Sequence, residues 1–160
     1  MDNVLYICAI IKKKTMGNSH KLTLEQSKKF ILAGNSTFTV VSKDTQARYT
    51  YKIKTNRTGD VLFVSYLNGS ENTSDYKFLG TIFKNNAIPF KYFHSRKKTD
   101  PKSIVNRTFE WVYDTIQNQK QVNFDKIELW HEGKCGRCGR KLTVPESIES
   151  GFGSVCSKKS

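Results

Sequence analysis

At 160 residues the chain can form one domain with a modest core, and 37% hydrophobic with 12% aromatic content excludes a disordered chain. Its 27 Lys and Arg against 14 Asp and Glu leave a formal charge of +13, which points to a polyanionic partner. Nucleic acid is the first such partner and an anionic membrane surface the weaker one, although a small protein can also be basic without a polyanion.

Residues 1–15 differ in character from the rest of the chain. The apolar run at 4–11 precedes Lys12, Lys13 and Lys14 and is too short for a secretory signal or a membrane span. Met16 offers an alternative start, which would make 1–15 an upstream extension. The competing reading takes residues 5–10 as an edge strand or a partner-binding segment.

From Leu22 the elements become legible. Thr23 and Gln26 have capping-box spacing, and Leu24, Ser27, Phe30 and Ile31 share one helical face, predicting a helix over 23–33 closed by Gly34. Period-two sequence occupies 36–42 and 48–54. In the second run Tyr49, Tyr51 and Ile53 occupy one face and Arg48, Lys52 and Lys54 the other. Residues 61–67 are apolar on both faces and predict a central strand. After the polar loop 68–75, residues 76–83 predict a fourth strand in an antiparallel meander.

Phe90 to His94 suggests a further short strand, and Arg96, Lys97 and Lys98 a basic loop. Asp100 and Pro101 fit the N-cap and first position of a helix over 102–118. Its stripe is Val105, Phe109, Val112 and Ile116, widened by Trp111. Residues 117–123 read as a polar connector and 124–130 as a strand entering the tail. The expected architecture is α+β: an antiparallel sheet of four or five strands, two packing helices and a small C-terminal zinc ribbon or knuckle. Its units are 1–15, 16–123 and 124–160.

The tail holds three of the four cysteines, Cys135, Cys138 and Cys156. Two thiolates three positions apart reach one ion only through a tight turn, and Gly136 and Gly139 are placed to supply it. The third sulfur comes after a second bend at Gly151, Phe152 and Gly153. Structural zinc takes four N or S ligands, so one is missing. His131 is the candidate, ahead of Cys8 and His94. A reducible Cys135–Cys138 pair and core-filling free thiols are the other readings. Flanking glycines and arginines favour a knuckle, since a redox pair of this spacing normally opens a helix. With no signal sequence in view, clustered cysteines suit a reducing compartment.

The run from Gly133 through Cys135, Cys138, Gly139, Arg140, Leu142 and Thr143, then Pro145, Ser147 and Gly151-Phe152-Gly153 before Cys156, resembles a small uncharacterised zinc-ribbon-like domain. That domain ends many proteins of bacteriophages and other mobile elements. Its usual form is similar to C-x-x-C-G-R-x-L-T-x-P-x-S with a G-x-G-P-x-C ending, and Ser154 stands here in the place of that proline. The resemblance covers about the last 25 residues. It implies a structural zinc ion and a phage setting in the host cytoplasm, without implying a mechanism.

No Walker loop, His-Glu-x-x-His or Ser/His/Asp grouping occurs, and Glu110 and Asp114 read as a solvated helix surface. The expectation is therefore a non-enzymatic nucleic-acid-binding protein, with neither a small-molecule substrate nor a membrane partner. Lys134, Arg137, Arg140 and Lys141 on the knuckle, with Arg96, Lys97 and Lys98, are the candidate contacts, and Tyr49 and Tyr51 a possible stacking face. The alternative is a phage-encoded modulator that binds a host protein, for example to block a defence nuclease.

Overall fold

A computed structural model describes residues 20–71, 73–84 and 89–158. The extension 1–15, the alternative start at Met16 and Cys8 lie outside the described residues. The strands are β1 (Lys21–Leu22), β2 (Asn35–Ser42), β3 (Arg48–Thr55), β4 (Val61–Leu67), β5 (Tyr76–Lys84), β6 (Pro89–His94) and β7 (Ile127–His131). They form one antiparallel sheet of seven strands in the order β1-β7-β2-β3-β4-β5-β6, rather than the four or five expected.

The meander β2 to β6 keeps chain order because short connections bring successive strands together. The surplus comes from the other edge. β7 returns from the end of the chain to pair with β2, and β1 then pairs with β7, Leu22 opposite Leu129. The expected boundary at 123/124 therefore precedes a strand held inside the sheet, and the tail proper begins after His131.

Helix α1 (Leu24–Ile31) is capped as its sequence requires. The Gln26 N–H donates to Thr23 Oγ1 at 3.2 Å and the Thr23 N–H to Gln26 Oε1 at 3.0 Å. Its four inward residues, Leu24, Ser27, Phe30 and Ile31, are all buried. Helix α2 (Ile104–Gln117) is capped by Ser103 rather than Asp100, whose carboxylate instead accepts from the Lys102 N–H at 2.9 Å in the preceding turn. Phe109, Val112, Tyr113 and Ile116 face the sheet, whereas Trp111 lies outside the stripe and is exposed. The connector contains a short helix α3 (Gln121–Phe124), and α4 (Pro145–Ser150) forms in the tail.

The described helices lie on the same face of the sheet. Phe38, Tyr51, Ile53, Leu62, Val64 and Ile82 on that face share one core with Phe30, Phe109 and Phe124, and with Leu142 and Phe152 of the tail. Tyr51 is fully buried, and its hydroxyl donates to the Val105 carbonyl at 2.8 Å. Of the tyrosine face proposed for base stacking, Tyr51 is therefore core and Tyr49 is half-buried against its edge. Asn106, a polar side chain that α2 buries fully, accepts from the Tyr92 hydroxyl at 2.9 Å and donates to the Pro101 carbonyl at 2.9 Å, which offsets the penalty for its burial. The opposite face of β4 is not covered as its apolar sequence suggested: Phe63 is 43% exposed there.

Candidate metal centre

Beyond β7 the chain forms a small hairpin. Lys134 bridges Lys141, the Cys135 N–H donates to the Arg140 carbonyl at 2.8 Å, and the Leu142 N–H to Gly133 at 2.7 Å. Cys135 and Cys138 lie in its turn, where the Gly139 N–H donates back to the Cys135 carbonyl at 2.9 Å. Gly139 supplies the left-handed residue, φ +78°, and a Cβ there would also press on Asn35. Gly136 has a different role from the one expected. Its φ is ordinary, and it is required because an added Cβ would meet the Phe30 ring at 2.6 Å. Close approach also lets the Asn35 N–H donate to the Gly136 carbonyl at 2.8 Å, and the Gly136 N–H to Gly151 at 2.9 Å.

The second bend delivers the third sulfur. Helix α4 ends at Gly151, Phe152 turns into the core against Phe30 with ring centroids 6.0 Å apart, and Cys156 comes next in the fold. The thiols of Cys135, Cys138 and Cys156 then lie within 4.8 Å of one another. Among the described residues this is the one group of three or more Cys, His, Asp or Glu side chains whose ligand atoms converge. The spacing suits three corners of a tetrahedral thiolate site.

Burial pushes the Cys135 thiol up, but N–H groups of Cys138, Gly153 and Arg137 aimed at the sulfur outweigh it and lower it to about 7. Burial, then hydrogen bonding with Cys138 and Cys135, raises Cys156. Donors pointed at one sulfur, with two more sulfurs beside it, are the surroundings a thiolate-bound cation requires. The residues therefore fit a metal ion.

His131 does not join this group. It is buried, its Nδ1 accepts from the Gly133 N–H at 2.9 Å, and its Nε2 faces the Ile148 carbonyl at 2.5 Å. Those partners engage both ring nitrogens. The ring also stacks on His20 at 4.8 Å. His131 is thus a strut between sheet and tail rather than the expected fourth ligand. His94 is also elsewhere, at the end of edge strand β6 with Nε2 2.6 Å from Thr99 Oγ1. The thiols open onto a cleft of about 240 Å³ whose polar lining combines the hydroxyl residues Thr143, Ser147 and Ser154 with the cations Arg140 and Lys141. His131→Gln should lower thermal stability yet leave metal content per chain unchanged by mass spectrometry; loss of the metal would restore His131 as a ligand.

The cationic residues divide between two places. Lys134, Arg137, Arg140 and Lys141 are exposed on the hairpin, while Arg96, Lys97 and Lys98 are exposed on the turn leaving β6. Sequence reasoning missed Lys84, which shares a cleft with Lys28, Lys29 and Arg137. Burial, then the neighbouring Arg137 charge, depresses the Lys84 ammonium, as expected of cations crowded together. Only the pairing of distant segments creates that cluster, so the order of residues carried no signal for it.

Residues 131–160 match the model of a family described as a family of unknown function, DUF6011. The match covers the hairpin, all three cysteines and the bend before Cys156. No curated protein matches the chain, and no solved structure does. None of the helices described is long and apolar enough to cross a membrane.

Proposed function

We propose that the chain is a non-enzymatic nucleic-acid-binding protein in which Cys135, Cys138 and Cys156 hold a structural zinc ion. The observation that carries this reading is the hairpin itself. Its thiols converge on one another while Lys134, Arg137, Arg140 and Lys141 are exposed, on a protein of formal charge +13. Side chains on a rigid turn lose less entropy when they engage phosphate oxygens or guanine edges. Zinc fits the three-thiolate donor set better than a hard cation would, and in this role it supplies folding energy rather than chemistry. The motif's resemblance to phage proteins supports a setting in the cytoplasm of an infected host.

The test is a pair of substitutions at exposed cations of the hairpin. Arg137→Ala with Arg140→Ala should keep the metal and the thermal midpoint. It should reduce the slope of log affinity against log salt by about 2 and weaken nucleic-acid binding several-fold at moderate salt. Unchanged binding by that variant would remove the hairpin from the contact surface.

A second reading has its own support. Ile104 and Trp111 on α2 are exposed beside a groove of about 720 Å³, lined also by Val40, Tyr49 and Ile127. Such a groove suits a protein partner, as a phage modulator of a host nuclease or transcription factor would need. Capture from host lysate with and without nuclease separates the two: a nuclease-resistant partner supports this reading, and a nuclease-sensitive one the first.

A further inference from the structure

The described helices cover one face of the sheet, which leaves the opposite face to be explained. The strand registers define what that face carries. One cross-strand row runs Asn35, Lys54, Phe63, Thr81, Phe93, and the row beside it Thr37, Lys52, Ser65, Phe78. A β-bulge opposite Val64 and Ser65 matters here, because the extra residue in β5 puts Leu79 in the core and turns Phe78 outward. Phe63 and Phe78 then meet edge to face at 6.3 Å, as do Phe83 and Phe93 at 5.5 Å.

Cations are interleaved with these rings. Lys52 Nζ sits 4.2 Å from the centroid of Tyr76 and Lys91 Nζ 5.3 Å from that of Phe93. Phe63 and Phe93 are 43% and 37% exposed, a costly arrangement for two phenylalanines unless something covers them. At one side the face continues into the metal hairpin, through a cleft of about 260 Å³ lined by Thr37, Lys52, Lys54, Glu132 and Lys134. Three cations there face one carboxylate. Glu128, further along, is paired with Lys21 at 3.6 Å.

We infer that this open sheet face binds single-stranded nucleic acid, with bases stacked on Phe63, Phe93 and their neighbours and phosphates held by Lys52, Lys54 and Lys91. The inference rests on the nucleic-acid reading of the hairpin and adds the class of ligand. Exposed ring faces gain from bases only when those bases are unstacked, and paired bases inside a duplex present none. Interleaved lysines match a backbone that passes the rings, whereas an apolar protein partner would have to desolvate those same ammonium groups. Because backbone runs and ring stacking are common to both polymers, the face takes single-stranded DNA and RNA by the same contacts.

The experiment uses the full chain and fluorescently labelled oligothymidylate or oligouridylate of about 16 nucleotides, with a duplex of equal length for comparison. The parent is expected to prefer either single strand by about tenfold. Phe63→Ala with Phe93→Ala should weaken single-strand binding about 100-fold, at about tenfold per lost stack, with the thermal midpoint and metal content retained. Phe63→Tyr with Phe93→Tyr should restore binding, which a merely structural effect of the alanines would not explain. If the alanine variant binds as tightly as the parent while Arg137→Ala with Arg140→Ala is impaired, the sheet-face assignment fails and the hairpin reading stands. A parent that binds no nucleic acid of either form overturns both. Blockage of Phe63 and Phe93 by a nuclease-resistant protein partner overturns the ligand class.

Discussion

Cys135→Ser is expected to abolish stoichiometric metal binding, release the tail and lower the thermal midpoint by on the order of 10 °C. Cys135 is the one fully buried member of the three, and its sulfur is the one at which N–H groups of Cys138, Gly153 and Arg137 are aimed. A serine hydroxyl holds its proton far more tightly than a thiol and is a poor ligand, leaving exposed Cys138 and half-buried Cys156 to hold an ion alone. In a site of this kind the free energy of metal binding is the free energy of folding. The damage spreads because Leu142 and Phe152 of the tail belong to the common core, and the Gly151 bend beside them packs on Phe30 and Leu22. Metal analysis by mass spectrometry, calorimetry and amide exchange over residues 132–158 measure the three parts of the effect. Chelation of the parent should reproduce the variant's exchange pattern. A parent that carries no stoichiometric metal would overturn the proposed metal site.

Phe30→Ala should cost about 3–5 kcal/mol, through a different route. Phe30 is fully buried on α1 and packs against His131 at 5.7 Å and Phe152 at 6.0 Å. The backbones of Gly136 and Gly151 also approach it so closely that a Cβ on either would collide with the ring. The ring is therefore the surface on which the tail docks. Its loss leaves a cavity between α1, the hairpin and the bend before Cys156, which those elements cannot fill without breaking their mutual hydrogen bonds. The thiols, however, belong to the tail itself. This variant should keep its metal while the Asn35 amide, bonded to the Gly136 carbonyl across the same contact, exchanges faster with solvent. Loss of metal together with stability would show that sheet and metal hairpin fold as one unit.

These two variants separate the forces that position the cationic hairpin. A metal held by the three thiols would make it rigid, and the aromatic wedge sets where it lies relative to the sheet. The nucleic-acid path proposed from the sheet face to Lys134 depends on both, since the cleft that joins them is lined by β2, β3 and hairpin residues.

Features governed by neighbours along the chain are legible in the sequence. The capping box at Thr23 and Gln26, the inward stripe of α1, the strands of the meander and the convergence of three cysteines arise from local periodicity, side-chain hydrogen bonding and close glycine-bounded spacing. Features that depend on pairing between distant segments are not. The sheet grows to seven strands because β7 returns to pair with β2 and gives the short β1 a partner. His131 becomes a strut because the Ile148 carbonyl comes within reach of its Nε2. Tyr49 and Tyr51 alternate with lysines as regularly as any binding face would, and period two cannot say which side of a strand the helices will cover. Tertiary packing put the tyrosine side inward, and with the bulge in β5 it left Phe63, Phe78 and Phe93 facing outward among lysines. Alternation separates the two faces of a strand; only the elements stacked on the sheet decide which face meets solvent, because burial is a property of the assembled layers rather than of the strand.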